Sequence, residues 1–280
     1  MASAEVVSSF VQGTPPGELK EVVQSIQALT SDGDPSLLQH PKVKAAFQNY
    51  NESQLVCAKL SGGSQHVLVS PYNRLEGNKY YDTTTSTSFT FDHTTQKASN
   101  PQSYTHDSTN NDLISSIQKS LATHVAEHYP AQSSAAAGSA CTVASPSETP
   151  TEIAILISAT KASPQNFVSG RWRTTLLYNT GSRTLTGTIA AQVHYYEDGN
   201  VALNTTKQVS ENNVGGSGSE IVRVLAKLEK QYQEEVNRAL VGMNEGSFRG
   251  LRRQLPVTRQ RIEWEKIRGY GLSDNLKGNK

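Results

Sequence analysis

Val193-His194-Tyr195-Tyr196-Glu197-Asp198-Gly199-Asn200-Val201 turns one strand back on the next. Asp198-Gly199 accepts the positive φ angles of a type I′ turn, so the flanking β-formers are predicted to pair as an antiparallel hairpin. Working outward, the two arms are read as strands over 184–196 and 200–209. Two further strands are expected over 152–159 and 171–178. Four strands in succession make an antiparallel sheet. Gly215-Gly216-Ser217-Gly218 then leads into the longest predicted helix, with Ser217 and Glu220 at capping-box spacing. Ile221, Val222, Leu225, Leu228, Tyr232, Val236, Leu240 and Met243 mark one apolar stripe on it. Such a helix runs about 37 Å, enough to cross the width of a sheet.

Upstream, the first fifty residues read as helices. A short apolar piece over 6–11 is stopped by Gly13 and Pro15-Pro16. Pro16-Gly17-Glu18 opens a second, with Leu19, Val22, Val23, Ile26 and Leu29 on one face, and Asp32-Gly33-Asp34-Pro35 breaks it. A third helix is expected around 41–50. Residues 55–60, 66–70 and 86–91 alternate or are rich in β-formers, with Gly62-Gly63 and Gly77-Asn78 between them, which predicts a small antiparallel sheet. Leu113, Ile117, Leu121 and Val125 predict a helix over 111–129 that Pro130 ends. Residues 131–150, rich in Ala, Ser and Thr, read as a surface insertion loop tolerant of deletion.

The fold class is therefore α+β. The expected division is an N-terminal helical subdomain (1–54), a small β subdomain (55–110), a connecting helix with central antiparallel sheet and long helix (111–245), and a basic C-terminal segment (246–280). A chain of 280 residues can bury a sizeable core. No apolar run approaches the roughly twenty residues of a membrane span, and the N-terminus lacks the basic-then-apolar pattern of a signal peptide. Cys57 and Cys141 are the two cysteines, neither in a C-x-x-C motif, and are read as inert thiols in a reducing cytosol.

Three patterns suggest chemistry and do not sustain it. His124-Val125-Ala126-Glu127-His128 has the H-x-x-E-H spacing of inverted zinc proteases, but it falls in the last turn before Pro130 and no later helix supplies a third ligand. Glu197 and Asp198 are adjacent on a turn and face apart, unlike paired catalytic acids. The glycines at 215–218 lack the Lys of a phosphate-binding loop. Nothing in the sequence calls for an enzyme, a metal or a cofactor.

Residues 246–280 carry nine Lys/Arg against three acids. The whole chain is +1, so this segment of net +6 leaves −5 on residues 1–245. A basic terminus bearing aromatics on a mildly acidic body points to an acidic partner. Arg249, Arg252 and Arg253 fall close together on one helical turn, with Phe248, Leu251 and Leu255 on the other face. After Pro256 a helix can restart over 258–268, where Trp264, Ile267 and Tyr270 form an imperfect stripe. Nucleic-acid binding is disfavoured by the acidic body, and the stripe is too short for more than regulatory contact with a membrane surface.

Phe248-Arg249-Gly250-Leu251-Arg252-Arg253-Gln254-Leu255-Pro256 closely resembles one of the two signatures of the alpha subunit of F-actin capping protein, and Val193 through Val201 resembles the other. Two softer matches agree: Phe10-Val11-Gln12-Gly13-Thr14-Pro15-Pro16-Gly17-Glu18, and Gly170-Arg171-Trp172-Arg173. The resemblance spans almost the whole chain and is weakest over 131–150. It implies the alpha half of an obligate heterodimer with a like-folded beta subunit, their sheets joined into one. Such a dimer caps filament barbed ends independently of calcium, by steric occupancy, in cortical actin structures of the cytoplasm. It further implies actin contacts by a mobile amphipathic tail through Arg249, Arg252, Arg253, Arg259, Trp264 and Ile267, and regulation by anionic phosphoinositides at Arg249 and Arg253. Arg249 stands where the family commonly has Lys. Gly250 replaces a larger helix former, at a cost of about 1 kcal/mol of helix propensity.

Overall fold

The computed structural model describes residues 2–30, 36–60, 66–106, 108–129, 138–146, 149–197, 200–243 and 246. They divide into two units, residues 1–232 and 233–280. The first begins with three helices, α1 (Ala2–Gln12), α2 (Leu19–Thr30) and α3 (Pro41–Ser53). Val7, Val11, Leu19, Ile26, Val43 and Phe47 close on one another as their common core. Gly17, at φ +86, makes the turn between α1 and α2, and His40 caps α3 by accepting from Lys42 N–H with Pro41 in the first turn.

Two small antiparallel sheets follow. One pairs β1 (Cys57–Lys59) with β2 (His66–Leu68); the other orders β3 (Lys79–Asp82), β4 (Thr87–Asp92) and β5 (Lys97–Ser103). The sequence reading found β1, β2 and β4 and missed β3 and β5. β3 carries Tyr80, buried against Phe89 and Phe91, and Tyr81, buried on the other face, and β5 buries only Ala98 among polar neighbours, so it shows no alternation to read.

The central sheet has five strands, β6 (Gly138–Ala144), β7 (Glu152–Ser163), β8 (Val168–Asn179), β9 (Thr184–Tyr195) and β10 (Val201–Glu211), in the order β10-β9-β8-β7-β6, all antiparallel. The hairpin at its end is present, with Tyr195 opposite Val201. The turn residues Asp198 and Gly199 lie outside the described residues.

β6 corrects the reading of 131–150 as an insertion loop. Its small side chains are not low-complexity filler: Ala140 and Ala144 pack under Leu55, Leu68 and Tyr81, while Val143 is fully buried on the other face. Short residues are what close packing on both faces requires. The backbone of Val143 donates to Gln118 Oε1 at 2.9 Å, so this outward N–H of β6 is satisfied by a helix side chain.

Two helices cover one face of this sheet. α4 (Asn111–His128) buries Ile114, Ile117, Leu121 and Val125. α5 (Gly218–Gly242) buries Ile221, Val222, Leu225, Leu228 and Tyr232. Ser217 and Glu220 form the expected capping box, and those bonds hold the Glu220 carboxyl below its usual pKa. Gly218 has a reason beyond chain flexibility. A Cβ there would lie 2.4 Å from the backbone of Ser116, so only glycine lets the start of α5 abut α4. In the second unit Val236 is half-buried, and Leu240, Val241 and Met243 are exposed.

Removing residues 139–144 should abolish cooperative unfolding, followed by circular dichroism on heating, because it deletes an edge strand and the lid over Leu55 and Leu68. A deletion that unfolds as sharply as the parent would restore the loop reading.

Candidate interaction surface

β10 leaves one side of the central sheet open. Among the described residues no strand pairs with its outer edge, whereas β6 at the other edge is covered by α4 and by β2, whose His66 ring lies against Gly138. An edge strand eleven residues long is a template on which another strand can pair.

The cross-strand register places Trp172, Ala191 and Thr205 in one row on the helix-covered face, and Gly170, Val193 and Leu203 in the next. α5 reaches the first of these rows. The Tyr232 hydroxyl donates to Thr205 Oγ1 at 3.0 Å, and the Tyr232 ring packs on Trp172 at 5.4 Å between centroids. Gly170 and Val193 of the next row line a groove of about 420 Å³, together with Val168, Trp172 and Ala191 and with His128 and Tyr129 at the end of α4. Val193 is 38% exposed and Val201, at the tip of the same face, 63%. Val193 of the groove is the cross-strand neighbour of Leu203 on the open strand, so apolar surface adjoins that edge, the combination expected where another chain adds to the sheet and lays a second element over it.

The wall of the groove is set by a buried carboxylate. Glu229 of α5 accepts from Trp172 Nε1 at 3.2 Å, from Thr174 Oγ1, and stands 2.9 Å from His124 Nε2. One side chain thus joins α5, β8 and α4. Burial, reinforced by the neighbouring Glu229, pushes the Tyr129 phenol well above its usual pKa. This arrangement also answers the zinc pattern. His124 is committed to Glu229, and His128 Nδ1 lies 3.0 Å from the carbonyl of His124. Among the described residues no group of three His, Cys, Asp or Glu could hold a metal ion. Sequence reasoning passed over Glu229. Its signal was faint: an acid immediately after Leu228 and three before Tyr232, within the buried arc of the helix.

On the opposite face the softer sequence motifs meet. Arg171 donates to the Gln54 carbonyl at 3.3 Å and to Thr160 Oγ1 at 3.2 Å, and Arg173 donates to the Ser53 carbonyl and to Gln192 Oε1. Ser53 and Gln54 end α3, so the two guanidinium groups satisfy its last carbonyls and favour the negative end of its dipole. Burial, with Arg171 alongside, brings the Arg173 pKa down to about 10, which leaves it charged at neutral pH. Glu18 accepts from Ser169 and contacts His194, tying the α1–α2 turn to β8 and β9. Glu197 accepts from the Tyr195 hydroxyl. Cys57 and Cys141 are free, and burial raises both thiols, Cys141 to about 12, so neither is a nucleophile at neutral pH.

The six residues predicted from sequence as the binding site, Arg249, Arg252, Arg253, Arg259, Trp264 and Ile267, all lie outside the described residues. No geometry is assigned to them.

The family profile described as F-actin capping protein alpha subunit matches residues 7–275. The chain is 48% identical over 280 residues to the F-actin-capping protein subunit alpha of Emericella nidulans, covering 100% of this chain and 98% of that one. Against the F-actin-capping protein subunit alpha of Saccharomyces cerevisiae it is 31% identical over 274 residues, covering 97% and 96%. Among solved structures it is similar to the homodimeric actin capping protein alpha subunit from Plasmodium berghei, with a TM-score of 0.69 at 15% identity, over 91% of this chain and 98% of that chain. At that identity the likeness speaks for the fold.

Glu229→Ala should lower stability by about 3 kcal/mol in urea denaturation, because it leaves the indole of Trp172, the hydroxyl of Thr174 and the ring of His124 without their acceptor. Glu229→Gln, which keeps one acceptor oxygen, should cost less. An unchanged midpoint in the alanine variant would show that the cluster contributes nothing to stability.

Proposed function

The chain belongs to the F-actin capping protein alpha subunit family, a non-enzymatic family of actin-binding proteins, and from that premise we propose how its surfaces are used. The protein caps the barbed ends of actin filaments and blocks both addition and loss of subunits there. It does so in the cytoplasm as one half of a heterodimer whose other half is a like-folded beta subunit. The observation that carries this arrangement is the open edge of β10, adjoined by the apolar groove beside Trp172 and Val193. A partner strand on that edge would satisfy its backbone groups, and a partner helix over the groove would bury Val193 and Val201.

Residues 246–280 are assigned to actin. Their +6 charge suits acidic surface on the terminal subunits, with Arg249, Arg252, Arg253 and Arg259 steering the approach. Trp264 and Ile267 supply the apolar anchor that slows release. Arg249 and Arg253 also fit the headgroup charge of phosphoinositides, which would compete with actin for the same segment. Capping by occupancy needs no bond-making step. Its duration is set by the dissociation rate.

Expressed alone, the chain should aggregate or dimerise rather than unfold as a soluble monomer, because an unpaired edge of this length recruits another strand. Ultracentrifugation that finds a stable monomer at micromolar concentration would remove the argument for a partner at β10. In seeded actin-elongation assays with the reconstituted pair, truncation after Asn244 should leave the dimer intact and reduce capping strongly. Arg249→Ala and Arg253→Ala should slow association, most at low ionic strength. Trp264→Ala should speed dissociation, by the tenfold or more that a lost interface anchor of about 2 kcal/mol produces. Capping rates unchanged by the truncation would reduce the segment to a solvated terminus. Losses accompanied by subunit separation would move these residues to the dimer interface.

A further inference from the structure

His194 lies on β9 beside the β9–β10 turn, with an oxygen at each ring nitrogen. Nδ1 is 2.6 Å from Oε1 of Glu18, and Nε2 is 3.0 Å from Oδ1 of Asn200. Both oxygens accept. A neutral imidazole has one N–H to give, so the two contacts are satisfied together by the imidazolium. The same Glu18 oxygen accepts from Ser169 Oγ at 2.8 Å, and Ser169 is the direct cross-strand neighbour of His194. The pair is largely shielded, its side chains 13% and 24% exposed for His194 and Glu18.

The groups facing the ring come from every side. Glu18 reaches it from the α1–α2 turn, Ser169 stands beside it on β8, and Asn200 comes from the turn into β10. The Tyr196 ring lies 5.1 Å away between centroids. Among the described residues Glu18 is the one charged side chain in ion-pair contact with it. The placement matters because, among the described residues, polar contacts hold the helical layer to this face both at the end of α3 and at the α1–α2 turn. At the end of α3 the hold is Arg171 and Arg173 on backbone carbonyls, which no proton near neutral pH disturbs. At the α1–α2 turn it is Glu18 on His194.

We propose that His194 is a proton-operated latch that fastens the α1–α2 end of the helical layer to the hairpin end of the central sheet and releases it as pH rises. The hydrogen bond with Glu18, aided by Asn200 and opposed by burial, raises the His194 pKa above its ordinary value, which agrees in sign. A histidine raised on folding stabilises fully below its unfolded-state pKa, about 6.5, and that contribution is lost as pH climbs through the folded-state value. Alkalinisation therefore loosens the turn. Since Asn200 precedes β10, the release is felt at the start of the open sheet edge. The latch does not depend on the barbed-end reading, because it lies within the chain.

The test is amide hydrogen exchange over residues 2–30 between pH 6 and 9, corrected for intrinsic rates, on the full chain assembled with its subunit partner. Should no partner assemble, the same measurement on the chain alone keeps failure of the latch distinct from failure of the proposed assembly. Protection is expected to fall by up to about tenfold per pH unit above 6.5 until the folded-state pKa is passed. Protection over 41–53, held by the arginines, should not share the trend. In His194→Gln and in Glu18→Gln the dependence should vanish. A wild-type profile that is flat, or variants that retain it, would overturn the latch. Because either variant could fold poorly, the His194 Cε1 proton is also titrated by NMR in the wild-type protein. An inflection at or below 6.5 would overturn the proposal without any variant.

Discussion

Strand β7 is apolar on both faces over residues 153–157, and the rest of the first unit is arranged by that fact. Ile153, Ile155 and Ile157 point one way from β7, and Ala154 and Leu156 point the other, all without solvent exposure. An antiparallel sheet commonly leaves one face wet, but this strand requires a layer on each side. α4 and α5 provide one. The small sheets and the three N-terminal helices provide the other, through Leu55, Leu68 and Tyr81 over the alanines of β6 and β7. Small residues on that side let two sheets approach closely. The isoleucines opposite fill the wider space beneath helices.

Hydrophobic burial draws layers together without choosing their register. Here a few buried polar groups do so. Glu229 has donors from two other elements and fixes α5 against both; displacement along its axis would break all of these bonds at once. Arg171 and Arg173 act likewise toward α3, where carbonyls fixed at a helix end stand in for a carboxylate. Glu52 receives the Tyr80 hydroxyl at 2.7 Å and links α3 to β3. Such contacts add little net stability when formed but cost heavily when one partner is removed. The surface left over, the β10 edge and its adjoining groove, is what these locked layers cannot themselves cover.

Much of this was legible from sequence because it depends on periods along one segment. The stripe from Ile221 to Tyr232, the capping pair Ser217 and Glu220, and the alternation of β7 to β10 each express a local rule, and the elements formed close to where those rules put them. The motif around His194 was equally plain as a hairpin, and its wording carried the family. Tertiary structure alone decided the rest. β6 became a strand because β7 and α4 were there to receive alanines that have no β preference of their own. Gly218 stood in the sequence as one of a run of glycines before α5, yet it is where the start of that helix abuts the backbone of α4. The roles of Glu229, Arg171 and Arg173 were not legible in the sequence, since nothing local tells a buried ion from a solvated one; their partners lie dozens of residues away. Local propensity specifies which elements form, while long-range packing and the pairing of buried polar groups determine which faces meet.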